Sequence, residues 1–200
     1  MKTANLKRRN AVISLCVSAV MLALATVLSL IKIWSFPWGG SITLASMLPI
    51  IFVSMAYGKA QGFFTAFIYS WIQFFLDLGA IMSWGLTKEM LIWSALLDYI
   101  VPFTVIGIAG LFSSAGTKGK MAGICAAVIL RYTSHVVSGA FLWHSAGKLW
   151  EGLVIENEWL YSLAYNACYM LPELVITVAA FFILIKNKNF LRLLSAGKGA

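Results

Sequence analysis

"YSLAYNACYMLPELVITVAAFFILI", residues 161–185, decides what kind of protein this is. From Leu174 onward it is apolar sequence interrupted only by Thr177. With the residues before it, it is long enough to cross a bilayer, which takes about 20 residues at ~1.5 Å each. Yet its first half carries three tyrosines, an asparagine, a proline and a glutamate. Ionisable and polar groups are expensive inside a membrane, so each one there calls for a partner or a function.

The rest of the chain repeats the pattern. Of 200 residues, 61% are hydrophobic and 11% charged, far from the balance of a soluble domain. Six apolar stretches read as spans, roughly 11–33, 42–57, 60–77, 91–112, 119–143 and 161–185, the second short enough to be tilted or partly re-entrant. The expected fold class is an all-α membrane protein of six transmembrane helices, the whole of 1–200 forming one membrane-embedded domain. The first span also imitates a secretory signal, with basic residues before it and Ala23-Leu24-Ala25 within it. The sequence after that point stays apolar, which favours a retained helix.

Charge sets the orientation. Fifteen basic residues face seven acidic ones. Lys2, Lys7, Arg8, Arg9, Lys59, Lys118, Lys120, Lys186, Lys188, Arg192 and Lys198 fall at the two ends or in the second and fourth connections. The positive-inside rule then places both termini in the cytoplasm, with the protein multi-pass in the cell membrane. The same distribution reads the net charge as topology, with no nucleic-acid partner.

Several chemistries find no support. There is no G-x-x-x-x-G-K-[ST] loop for ATP, no H-E-x-x-H and no G-x-S-x-G. Cys16, Cys125 and Cys168 lie inside spans with no metal-ligand spacing, so no metal, disulfide or cofactor is expected. A chain of this size without an energy-transducing motif is expected to bind a solute and draw power from another subunit.

The polar residues within spans converge. At ~1.5 Å per residue, Asp98 lies roughly 10 Å below the outer start of its span, His135 about 12 Å below Trp143, and Asn166 about 7 Å below Tyr161. Arg131, His135, Gly139 and Trp143 form one stripe at four-residue steps, and Asn166, Tyr169 and Glu173 share a second face. Arg131 and Glu173 each lie about 18 Å deep by the same rise. That depth predicts a buried ion pair beneath the site, because a lone buried charge is costly. Ordinary readings stand beside these: Asp98 as the cap of a helix broken near Pro102, His135 as an interhelical hydrogen bonder, Trp143 and Tyr161 as interface aromatics, Tyr165 as packing. What favours a site is the agreement in depth. A carboxylate, an imidazole, an amide, a phenol and an indole suit a flat, polar, heteroaromatic and cationic solute.

Four stretches carry a resemblance: "GGSITLASMLP" (39–49), "LLDY" (96–99), "HVVSGAFLW" (135–143) and "YSLAYNACYMLPE" (161–173). Together and in this order they resemble the thiamine-specific S components, the ThiT family, of energy-coupling-factor transporters. The resemblance implies a membrane subunit that captures thiamine at the extracellular side, and that partners a transmembrane coupling subunit and two ATPase subunits. It implies binding roles for Asp98, Tyr99, His135, Gly139, Trp143, Tyr161 and Asn166, and for a first-loop aromatic at Trp34 or Trp38. A member of that family carries glutamate where this chain has Asp98, one methylene shorter. Small residues one turn apart, Ala19 and Ala23, permit close helix approach; the resemblance implies docking of the coupling subunit there. An S component for another heteroaromatic vitamin, and a membrane enzyme using His135 and Asp98 as acid and base, are the alternatives.

Overall fold

A computed structural model describes residues 2–196 of the chain. Lys198, one of the charges assigned above to the cytoplasm, lies outside them. Helix α1 spans Lys2–Leu30 and is followed by a hairpin of β1 (Lys32–Ser35) and β2 (Ser41–Thr43). Next come α2 (Leu48–Tyr57), α3 (Lys59–Ser83) and a helical stretch, Lys88–Phe112, called α4 here. Helix α5 (Gly116–Phe141) leads to a second hairpin, β3 (Gly147–Trp150) with β4 (Leu153–Ile155). Helix α6 (Glu158–Ile185) and a short α7 (Lys188–Ala196) complete the order.

Among the described residues, five helices are long and apolar enough to cross a membrane: Arg8–Leu30 of α1, then α3, α4, α5 and α6. The second expected span, 42–57, is different. Its first residues pair as β2, and the helix that follows has only ten residues, started by Pro49 in its first turn. Ten residues rise ~15 Å, about half the hydrocarbon core. Leu48 through Ala56 are all buried, as befits a helix that is apolar on every side. Thus α2 is the internal post around which the longer helices pack. The expected all-α class gains two small antiparallel hairpins, both at the end of the bundle where α6 begins.

Helix α1 is fastened by polar contacts in an otherwise apolar setting. Gln61 Nε2 donates to Ser18 Oγ at 3.0 Å, and Gln73 Nε2 donates to Ser29 Oγ at 3.0 Å. These two bonds tie the helix that imitated a signal peptide to α3. Its opposite face, with Ala19, Ala23 and the large residues Val20, Leu24 and Val27, is exposed.

Candidate functional site

The site begins with a proline. Pro102 has no N–H to give to the preceding turn of α4, and the helix widens over Ala95–Ile100 into a π-turn in which Val101 N–H reaches back to Leu96 O. The Leu97 carbonyl that the proline leaves without an intrahelical donor accepts instead from Ser134 Oγ of α5, at 2.7 Å. This bulge carries Asp98 and Tyr99 and fixes α4 against α5 at their level.

Asp98 is the hub. Its Oδ2 accepts from Ser94 Oγ and from the indole Nε1 of Trp143, each at 3.0 Å, while its Oδ1 lies 3.8 Å from His135 Nδ1. The side chains of Asp98 and His135 are 19% and 13% exposed, so the carboxylate sits at the edge of the packed interior with a path outward. Trp143 meets Trp84, at the end of α3, edge to face with ring centroids 5.4 Å apart. The His135 ring meets the buried Tyr169 ring at 6.0 Å. His135 Nε2 and Ser138 Oγ are buried without a hydrogen-bond partner among the described residues, which leaves polar capacity beside the carboxylate.

The remaining residues singled out in the sequence fall into three places. Asn166 is at the hub but already engaged: its Nδ2 donates to Ser162 O at 2.8 Å and approaches His135 O at 3.4 Å, and its Oδ1 accepts from Tyr169. Gly139 faces Ser162, which a Cβ there would strike, so this glycine sets the α5–α6 approach. Tyr99 turns towards α3, its hydroxyl donating to Asp77 Oδ2 at 3.2 Å. Tyr161 lies apart from Asp98, stacked on Tyr165 with centroids 6.0 Å apart, and the two line an open cleft of about 200 Å³ with Trp38, Lys148 and Trp150. The two first-loop tryptophans have different settings: Trp38 lines that cleft, whereas Trp34 sits on β1 opposite Ile42 and is exposed.

The expected Arg131–Glu173 ion pair does not form. The Arg131 guanidinium lies over the Phe103 ring, 4.3 Å from its centroid, a cation–π contact that a depth argument does not foresee. The Glu173 carboxylate is claimed by the first hairpin. Its Oε1 accepts from Thr43 N–H and, at 2.6 Å, from Thr43 Oγ1. Backbone and hydroxyl donors from β2 engage Oε1, while Oε2 is buried without a hydrogen-bond partner among the described residues.

Sequence reasoning missed two participants. Asp77 stood at the end of a span drawn as 60–77, but α3 continues to Ser83, which places this carboxylate within the helix, beside Tyr99 and 3.9 Å from Lys32 of β1. Tyr165, read as packing, accepts from Trp38 N–H at 3.0 Å and donates to Gly39 O at 2.9 Å.

Against this geometry, comparison with known proteins is specific. The family described as "Thiamine transporter protein (Thia_YuaJ)" matches residues 15–192. The chain is 33% identical over 194 residues to the thiamine transporter ThiT of Bacillus subtilis (strain 168), covering 90% of this chain and 93% of that protein. A solved structure of ThiT from Listeria monocytogenes superposes with a TM-score of 0.72 over 92% of this chain and 98% of the other. At 21% identity that likeness is one of fold.

Proposed function

The chain belongs to the thiamine transporter family, a family of transport proteins rather than enzymes, and from that premise we propose that it is the thiamine-capturing membrane subunit of an ATP-driven uptake system. One observation carries the choice of ligand: a carboxylate, Asp98, held by Ser94 and Trp143 and flanked by an imidazole and two indoles, at the outer end of the bundle. A cationic thiazolium ring matches that set. The carboxylate supplies the opposite charge, and the faces of Trp143 and Trp84 attract a cation and stack on a flat ring. His135 hydrogen-bonds the ligand beside them. Asn166 and Gly139 support the site, the first by fixing Tyr169, the second by letting α6 approach. Trp38 and Tyr161 flank the entry cleft, and Tyr99 braces the bulge against α3.

In this reading the molecule sits in the cell membrane with both termini cytoplasmic and α2 as a buried sixth element. The ligand enters from the extracellular side. The basic residues of the termini and of the second and fourth connections support that orientation. The sequence has no ATP-binding loop, so ATP hydrolysis falls to two ATPase subunits acting through a transmembrane coupling subunit. The small-residue face of α1 at Ala19 and Ala23, exposed along the bundle, is the proposed docking strip.

Titration of the purified protein with thiamine tests the reading through tryptophan fluorescence, because Trp38, Trp84 and Trp143 surround the site. Saturable quenching by thiamine, with none by riboflavin or biotin, is the expected result. Equal responses to all three, or none to thiamine, would defeat it.

A further inference from the structure

The polar stretch of α6 has a use that the ligand does not require. Tyr161, Tyr165, Tyr169 and Glu173 recur at four-residue steps and form one stripe along the helix. Three of them hold successive parts of the first hairpin. The Tyr165 hydroxyl grips the backbone of Trp38 and Gly39; the Tyr169 ring lies where a Cβ on Gly40 would stand; Glu173 takes the N–H and hydroxyl of Thr43. Phe36 packs on both Tyr165 and Tyr169, with centroids 5.8 Å and 5.9 Å apart.

The two ends of this track differ in kind. At Thr43 the contact is buried, Glu173 being 1% exposed, and it carries a carboxylate with two donors. At the hairpin tip Trp38 is 74% exposed, and one hydroxyl makes the two polar bonds that hold the turn. The turn itself is stiff: Pro37 fixes one φ, Gly39 and Gly40 hold positive φ, and Phe36 N–H closes on Gly40 O at 3.0 Å. A stiff turn with a deep fixed end and a shallow tip moves as a unit about the fixed end.

We propose that Tyr165 is a positioning residue, the catch that holds the 36–40 turn down between Trp84 and α6, with Thr43–Glu173 as its pivot. Resting on the thiamine-binding reading above, the catch sets how long the ligand stays: the ligand leaves when the Tyr165 hydroxyl releases the backbone of Trp38 and Gly39.

Tyr165→Phe tests this, because it deletes both hydrogen bonds and keeps the ring that packs on Phe36 and Tyr161. The control is Tyr132→Phe, which deletes a tyrosine hydroxyl bond to Leu163 O on the same helix but away from the turn. Loss of two neutral hydrogen bonds at a partly exposed site should raise the thiamine dissociation rate roughly fivefold to tenfold, with association unslowed. Hydrogen exchange of the ligand-free protein should show the Trp38 amide deprotected in Tyr165→Phe alone. Unchanged dissociation with an unchanged Trp38 amide would overturn the catch, as would equal effects from the Tyr132 control. If the parent protein binds no thiamine, the functional reading falls, and the exchange measurement on Trp38 still decides the catch.

Discussion

The two ends of the helix bundle are built by opposite rules. At the end where α2 leads into α3, Ser54 of α2 lies among glycines of α3 and α4: Ser54 Oγ donates to Gly107 O, Gly110 N–H donates to Ser54 Oγ at 2.8 Å, and a Cβ on Gly62 would strike the same serine. Backbones there approach as closely as main-chain atoms allow, and the polar atoms of Ser54 are matched. At the end that carries the hairpins, the side chains of Asp98, His135, Trp143 and Tyr169 gather beside the close α5–α6 approach at Gly139, and His135 Nε2 and Ser138 Oγ have no hydrogen-bond partner among the described residues. The first end is a closed scaffold and the second a polar candidate site beside a hairpin. Substitutions at the first should therefore act on stability and those at the second on affinity.

The largest expected effect breaks the scaffold. A Cβ at Gly107 would stand 2.7 Å from the Cα and amide nitrogen of Phe63, backbone atoms that cannot step aside as a side chain would. Gly107→Ala should cost ~3 kcal/mol of stability, the upper range for overpacking. The check is the thermal unfolding midpoint in detergent, and thiamine affinity of the surviving folded fraction should stay within twofold of the parent, roughly the error of such a comparison. A full-affinity protein with an unchanged midpoint would remove the distinction between the two ends.

Asp98→Asn is the complementary change. It keeps the shape and the acceptor for Trp143 but removes the charge, so a cationic ligand should bind about a hundredfold more weakly, or ~2–3 kcal/mol. The unfolding midpoint should barely move. A neutral aminopyrimidine fragment, titrated in parallel by fluorescence, should lose far less. Equal losses for both ligands would mean that Asp98 serves only to orient Trp143.

Glu173 lies at the join and should sharpen the comparison by violating it. Glu173→Leu strands the Thr43 N–H that it now receives, at a cost of ~1–3 kcal/mol. The hairpin's fixed end loosens with it. Both the unfolding midpoint and the thiamine dissociation rate should therefore change in this variant, measured together on one preparation.

How much of this was legible in the sequence differs in the same way between the two ends. Apolar runs and charge placement displayed the long helices, and the rise per residue alone brought Asp98, His135 and Asn166 to one level. What depth arithmetic missed came from segments that it does not describe. Arg131 and Glu173 share a depth, yet the donors that reach Glu173 belong to β2, a three-residue strand hidden inside what read as an apolar span. Asp77 escaped because the end of α3 was drawn at this carboxylate, and the helix runs on through the apolar Leu78–Met82 to Ser83. Tyr165 looked like packing because its partners are backbone atoms of Trp38 and Gly39, which no pattern of side chains announces.

The smallest expected difference separates two tryptophans four residues apart. Trp34 and Trp38 are both exposed, at 64% and 74%, so burial alone does not tell them apart. Their settings do. Trp34 belongs to a strand whose four residues are all exposed. Trp38 stands at the tip of the turn that Tyr165 holds and shares a cleft with Tyr161. Trp38→Ala should weaken thiamine binding roughly fivefold to tenfold, the effect of losing one partly exposed aromatic contact of about 1 kcal/mol. Trp34→Ala should change it by less than about twofold, as for a surface substitution within ~0.5 kcal/mol. Stopped-flow quenching read through the remaining tryptophans should assign the Trp38 loss to faster dissociation, since a cap over a bound ligand slows escape more than entry. Were Trp34→Ala the weaker binder, the ligand would be covered from the β1 side of the hairpin, and the catch on Tyr165 would be holding the wrong edge.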